Sequence, residues 1–177
     1  AIGDSGFLTT NNYKYYKKIK LLSNHGIHKR NIVKYFGHVS RMDVLQAEIL
    51  NYKLKNINKI IKKRRNNFKL YSKYLNKQKI YFPLEKKDEF NTYHTFVIQI
   101  ENRNKLQKYL KVNGVDTAIH YPIPIHLQPA SKILNYNKGD YPVTEKQAKR
   151  ILTLPIHQDL KKNEIKYICK LINNFYK

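Results

Sequence analysis

The chain has 177 residues, of which 41% are hydrophobic, and its 35 Lys+Arg against 12 Asp+Glu give a formal net charge of +23. That length can bury one sizeable core or two small ones, while no apolar run approaches the roughly 20 residues of a membrane-spanning helix. One cysteine, Cys169, leaves neither an intramolecular disulfide nor a cysteine-based zinc site, and with no charged-then-apolar leader in the sequence a reducing cytoplasm is expected.

Such a charge points first to polyanionic partners, and a small basic module that sets its lysines and 15 tyrosines against nucleic acid is the alternative reading. However, Lys, Asn, Ile and Tyr rise together in every kind of segment, as an AT-rich coding sequence would cause, so part of the charge reflects composition. The densest run, Lys59 to Arg65, keeps Ile60 and Ile61 in helical phase, as a solvated helix face does.

In chain order, Gly3-Asp4-Ser5-Gly6 looks like the surroundings of a serine nucleophile, but all seven histidines lie after Ser5. The tetrapeptide therefore reads as a turn leading into a strand at Phe7 to Thr10. Asn11 or Asn12 caps a helix over Tyr13 to Leu22, and Gly26 suits a left-handed residue beyond its end. Ile27 to Val39 reads as loop. From Asp43 a long helix runs toward Leu75, its core face marked by Leu45, Ile49, Tyr52, Ile57, Ile60, Arg64, Phe68, Tyr71 and Leu75, with a break expected near Asn56 to Asn58.

Pro83 to Asn91 is a charged connector, and a domain boundary is placed after residue 82. Strand (Tyr93 to Ile100), helix (Asn102 to Val112) and strand (Val115 to His120) follow as a β-α-β unit. Helices are expected at Val143 to Arg150 and Asn163 to Phe175, with a strand at Ile151 to Leu154 between them.

The loop "HYPIPIHLQPA", residues 120 to 130, carries Pro122, Pro124 and Pro129, which forbid both a continuous helix and a central strand. It concentrates His120, Tyr121, His126 and Gln128. The two histidines have no carboxylate between them, so a metal site is not expected. Imidazole, phenol and amide groups do suit a polar, anionic or sugar ligand; alternatively, His120 and Tyr121 close a strand and pack on prolines. His94 and His157 flank strand-like segments and read as structural.

Five stretches occur in order: "GDSGFLTTN", the "NHG" of Asn24-His25-Gly26, "SRMDVLQAEIL" from Ser40, "GVDTAIHYPIPIHLQPA" from Gly114, and "YPVTEKQAKRILTLPIH" from Tyr141. Together they resemble the C-terminal half of the DegT/DnrJ/StrS family, pyridoxal-phosphate-dependent aminotransferases acting on nucleotide-linked keto sugars. The resemblance implies an α/β protein of PLP-dependent transferase fold type I. Residues 1–82 would be the end of the large cofactor-binding domain plus a long interdomain helix, and residues 83–177 a small α+β C-terminal domain. It implies transfer of an amino group, with glutamate as donor, in a cytoplasmic homodimer whose products feed lipopolysaccharide, capsule or glycan modification.

In the family a G-D-x-G turn follows the lysine that holds the cofactor, so the resemblance places that lysine upstream of Ala1 and no catalytic residue within this chain. The fragment alone is then expected to be inactive. The family's G-x-N-S-R motif falls on Gly37-His38-Val39-Ser40-Arg41. Its asparagine, which reaches the cofactor phosphate of the other subunit, is replaced here by Val39, leaving His38 and Ser40 as the cofactor-binding candidates. The family's "HYP" falls on His120-Tyr121-Pro122 near the sugar and its diphosphate, His126 matches the following loop histidine, and His25-Gly26 border the active-site entrance. These are the substrate-binding candidates.

Overall fold

A computed structural model describes residues 3–177. The chain forms two compact units, Ala1–Ile57 and Asn58–Lys177. The compositional boundary near residue 82 falls inside the second unit, in an extended connector.

In the first unit, helix α1 (Tyr13–Leu22) begins where the Asn12 side chain accepts from the amides of Lys14 and Tyr15, satisfying donors that the first turn leaves free. It ends at Ser23, and Gly26 follows at φ +71°. Ile27 to Val39 is not plain loop. Strands β1 (Ile27–Lys29) and β2 (Ile32–Val33) make a short hairpin, with Asn31 at φ +66° supplying the left-handed turn residue. The strand expected at Phe7 to Thr10 is absent: these residues join no ladder, and Phe7 is 87% exposed. Strand-favouring residues do not make a strand without an edge to pair with.

The long helix breaks where expected. Helix α2 (Val44–Lys55), with Asp43 at its N-cap, ends at Asn56, and α3 (Ile57–Tyr74) starts anew. Its anticipated core face holds only in the second half. Phe68, Tyr71 and Leu75 are buried, whereas α2 buries nothing and leaves Leu45 and Tyr52 each 71% exposed.

The second unit is built around β3 (Phe96–Gln99) paired antiparallel with β4 (Ile151–Leu154). Isolated bridges extend this pair on both sides, Tyr81 to Gln99 and Ala118 to Thr153. The strand expected at Val115 to His120 is thus reduced to one bridge, because Pro122 and Pro124, just beyond it, cannot donate to a ladder. Helices α4 (Arg103–Val112) and α6 (Lys162–Phe175) pack together, α6 burying Ile165, Ile168, Cys169, Leu171 and Ile172. Helix α5 (Pro142–Arg150) leads directly into β4.

Aromatic rings close the core over α3. The Phe68 ring stacks on Tyr93 with centroids 4.0 Å apart and meets the edges of Phe82 and Phe96, each such pair adding about 0.5–1.5 kcal/mol beyond buried area. Polar side chains of α3 fix what surrounds it. Asn67 donates to the His157 carbonyl at 2.9 Å and Arg64 to that of His94 at 2.9 Å, so both histidines serve as backbone anchor points. Arg65 makes a two-pronged pair with Glu85, 2.7 Å on each prong, that ties down the charged connector. The guanidinium and the Asn91 amide hold the Glu85 carboxyl below the usual carboxylate range. Burial pushes the Cys169 thiol up to about 12, so it is a packing residue and not a nucleophile. Among the described residues no helix is long and apolar enough to cross a membrane.

Candidate active-site segments

Strand β4 decides where the proline-rich loop sits. Side chains alternate along it, so Leu152 and Leu154 enter the core at 0% and 2% exposure, while Ile151 and Thr153 face the opposite way. Thr153 pairs with Val97 on one side and Ala118 on the other. Its amide donates to the Ala118 carbonyl at 2.7 Å, and its carbonyl accepts from the Ala118 amide at 3.2 Å. This clamp fixes the chain two residues before His120.

His120 then returns over the same face, with its Nδ1 2.9 Å from the Thr153 hydroxyl. The Tyr121 ring stands edge-on to it, centroids 5.4 Å apart, and is 71% exposed. His120, Tyr121, Ile123, Pro124 and Gln128 join Val97, Thr144, Gln147 and Ile151 around a cavity of about 560 Å³. Its wall is mainly apolar with imidazole, phenol and amide groups at the rim, a composition suited to a ligand with a non-polar face and several hydroxyls.

His126 occupies a different position. It is buried, its Nε2 lies 3.1 Å from a Glu145 carboxylate oxygen, and its ring packs against Tyr141 with centroids 4.8 Å apart. The same Glu145 oxygen accepts the Gly139 amide at 2.7 Å. The Gly139 amide and the His126 imidazole hold the Glu145 carboxyl below the usual carboxylate range. His126 thereby locks the loop against α5. Two further bonds stiffen it: the Ser131 hydroxyl donates to the Ile125 carbonyl at 2.6 Å, and the Gln128 amide to that of Ile123 at 3.3 Å.

The remaining candidates lie in the first unit, where two segments pair through their backbones. The His25 amide donates to the His38 carbonyl at 3.1 Å, the His38 amide to that of Leu22 at 2.8 Å, and the Ser40 amide to that of Ser23 at 3.0 Å. Gly26 and Gly37 are where these segments touch: a Cβ on Gly37 would lie 2.5 Å from the Gly26 nitrogen. Beside them a cleft of about 1060 Å³ is lined by the turn Asp4-Ser5-Gly6, by Lys20 and Ser23, and by Ser40 and Arg41. Val39 is 60% exposed and carries no donor.

Neither Thr153 nor Glu145 stands in a motif that marks it as a site residue. A threonine inside the aliphatic run Ile151 to Leu154 was the available signal, since a buried hydroxyl needs a partner. Glu145 gave none, because acidic residues in a first helical turn are ordinary.

A short β-hairpin between helices, followed by a small antiparallel layer with a proline-rich loop, makes a mixed α/β chain that superposes on about half of solved fold type I sugar aminotransferases. Residues 1–173 match the DegT/DnrJ/EryC1/StrS aminotransferase family, and the chain belongs to it. Over 180 residues it is 32% identical to the pleiotropic regulatory protein of Geobacillus stearothermophilus, covering 100% of this chain and 48% of that one. Over 172 residues it is 34% identical to the UDP-2-acetamido-2-deoxy-3-oxo-D-glucuronate aminotransferase of Pseudomonas aeruginosa, covering 97% and 47%. Among solved structures, Streptomyces venezuelae DesV in complex with a ketimine intermediate superposes with a TM-score of 0.84 at 26% identity, over 95% of this chain and 46% of that one. The chain thus spans about half the length of the relatives it matches.

The family is PLP-dependent, and a Streptococcus pneumoniae protein of the same fold, Spr1654, has been solved in PLP and PMP forms. The first-unit cleft holds a partial donor set for one end of that cofactor. The Ser40 hydroxyl and the positive charges of Lys20 and Arg41 suit phosphate oxygens, while the Ser23 hydroxyl is committed to the Lys20 carbonyl at 3.2 Å and Asp4 and Asp43 also line the cleft.

Proposed function

We propose that this chain supplies the C-terminal half of a pyridoxal-phosphate-dependent aminotransferase that moves an amino group from glutamate to a keto group on a nucleotide-linked hexose. The observation that carries the reading is the end-to-end family match, residues 1–173, together with relatives whose names specify nucleotide-linked sugars. In this reading residues 1–82 complete the large domain and its interdomain helix, residues 83–177 form the small domain, and the enzyme works in the cytoplasm. It works as a homodimer, whose subunit contact would cover apolar side chains such as Val44 and Leu45 of α2, 79% and 71% exposed here.

When bound, pyridoxal phosphate supplies the electron sink for the amino transfer. This chain's own residues bind and orient. Ser40, with Arg41, holds phosphate oxygens in place of the donor that Val39 lacks; His38 contributes through its backbone pairing. His25 and Gly26 shape the rim of that segment. His120 and Tyr121 hydrogen-bond the sugar or its diphosphate, and His126 holds their loop in place through Glu145. The lysine that carries the cofactor lies outside these residues.

The test uses the native polypeptide that carries this chain, purified with pyridoxal phosphate and supplied with glutamate and UDP- or dTDP-linked keto hexoses. Amino-sugar nucleotide and 2-oxoglutarate are expected in equal amounts. Absence of turnover with every keto sugar overturns the reading. Borohydride reduction followed by peptide mapping locates the cofactor lysine, and a labelled lysine within residues 1–177 overturns its placement.

A further inference from the structure

Thr153, the one polar side chain of β4 and a buried one, meets the proline-rich loop through its hydroxyl. It is held on both sides, 8% exposed and clamped through its backbone to Ala118 and, by register, to Val97. A β-branched side chain on such a backbone has little χ1 freedom, so its hydroxyl is presented at a set point. His120 Nδ1 lies 2.9 Å from that point.

We propose that Thr153 is a positioning residue for the sugar-nucleotide site: its hydroxyl commits Nδ1 of His120 and thereby presents Nε2 to a hydroxyl or phosphate oxygen of the ligand. The proposal rests on the assignment of His120 to the substrate site and adds the residue that orients it. A hydroxyl can both donate and accept. When Thr153 donates to Nδ1, Nε2 carries the proton and donates to a phosphate or sugar oxygen. When Nδ1 carries the proton, it donates to the Thr153 hydroxyl oxygen and Nε2 accepts from a sugar hydroxyl. A backbone carbonyl or a carboxylate in the same place would allow only the second arrangement. Threonine therefore lets one imidazole serve either polarity of contact while its ring plane stays fixed, and the short Oγ1 keeps the ring against the strand and beside the cavity wall made by Val97 and Ile151.

The experiment compares Thr153→Val, which keeps the shape and removes the hydroxyl, with Thr153→Ser, which keeps the hydroxyl, in the native polypeptide. Two readouts are taken. The first is the ¹⁵N NMR signature of His120 in protein labelled at histidine, without ligand, which reports which ring nitrogen is hydrogen-bonded. The second is kcat/KM for the sugar nucleotide beside the rate of the glutamate half-reaction. Thr153→Val is expected to shift the Nδ1 resonance and to lower kcat/KM for the sugar nucleotide about tenfold, the loss of one net hydrogen bond, with the glutamate half-reaction unchanged; Thr153→Ser is expected to restore both. An unchanged Nδ1 resonance in Thr153→Val, or equal loss in both half-reactions, overturns the proposal. If the parent enzyme turns over no keto sugar, the functional assignment fails by itself, and the resonance still decides whether Thr153 orients His120.

Discussion

Gly26 and Tyr35 meet backbone to backbone: a Cβ on Gly26 would lie 1.8 Å from the Tyr35 carbonyl oxygen, and Gly26 itself sits at φ +71°. The contact holds the hairpin beside the His25–Ser40 pairing, with the Lys34 amide donating to the Gly26 carbonyl at 2.8 Å. Both the close approach and the left-handed backbone exclude a side chain.

Gly26→Ala is therefore expected to destabilise the first unit by more than about 2 kcal/mol. Gly6→Ala, where an added Cβ meets nothing within 4 Å, is expected to be neutral within about 0.5 kcal/mol. Thermal melting with hydrogen exchange at Gly26, Lys34 and Ser40 checks this. Equal behaviour of the two variants would mean that the hairpin contact does not hold the segment.

Tyr71 is fully buried on α3, and its hydroxyl donates to the Pro155 carbonyl at 2.8 Å. Burial raises the phenol well above its ordinary range, so it stays a donor at any working pH. Tyr71→Phe keeps the ring against Phe96 and leaves that carbonyl without this donor, for an expected loss of about 1–2 kcal/mol in denaturant unfolding. A smaller loss would show that water replaces the hydroxyl.

The second unit was the more legible in sequence, and the reason is visible residue by residue. Phe96 and Ile98 or Ile165 and Ile172 keep strict strand or helix spacing because their own chain buries them. Leu45 and Tyr52 show the same spacing on α2 yet stay exposed, since periodicity marks an apolar face and not what covers it. At the loop of residues 120 to 130, the prolines announce rigidity and the histidines a candidate site. Which histidine faces the cavity was decided by Glu145 and Thr153, whose partners lie 19 and 33 residues away, and long-range pairing of that kind has no local signature.

Glu145 is expected to make the loop acid-sensitive. Its folded-state carboxyl is depressed by the Gly139 amide and then by His126, so its contribution is complete above the ordinary carboxylate value near 4.5 and is lost as pH falls through the lower folded value. The protection factor of the Gly139 amide is expected to fall below about pH 4.5 while the core amides of α6 stay protected. Glu145→Gln should remove that pH dependence. Simultaneous loss of loop and core protection would place the acid transition elsewhere, for instance at Glu85 and Arg65.

The net charge of +23 makes a separate prediction. If lysine enrichment follows coding composition, binding to DNA or RNA is sequence-independent and falls steeply with salt, by a log-log slope set by the number of phosphates contacted. Tight binding of one sequence near 0.15 M salt would favour the basic nucleic-acid module instead.

His120 and Tyr121 lie on one cavity wall, the imidazole braced by Thr153 and the phenol 71% exposed at the rim. A ligand met by side chains on a loop stiffened by three prolines pays little ordering entropy, so most of each hydrogen bond appears in affinity. His120→Ala and Tyr121→Phe are each expected to lower kcat/KM for the sugar nucleotide about tenfold or more. The half-reaction with glutamate involves no sugar and should keep its rate within about twofold, a difference of under about 0.5 kcal/mol. His126→Gln should behave differently: it loosens the Glu145 clamp, so it raises exchange at Gly139 along with its effect on the sugar. Stopped-flow measurement of both half-reactions separates these cases. Equal loss in both for His120→Ala or Tyr121→Phe would assign those residues to the cofactor or the fold, and no loss in either would leave them as a packed strand end.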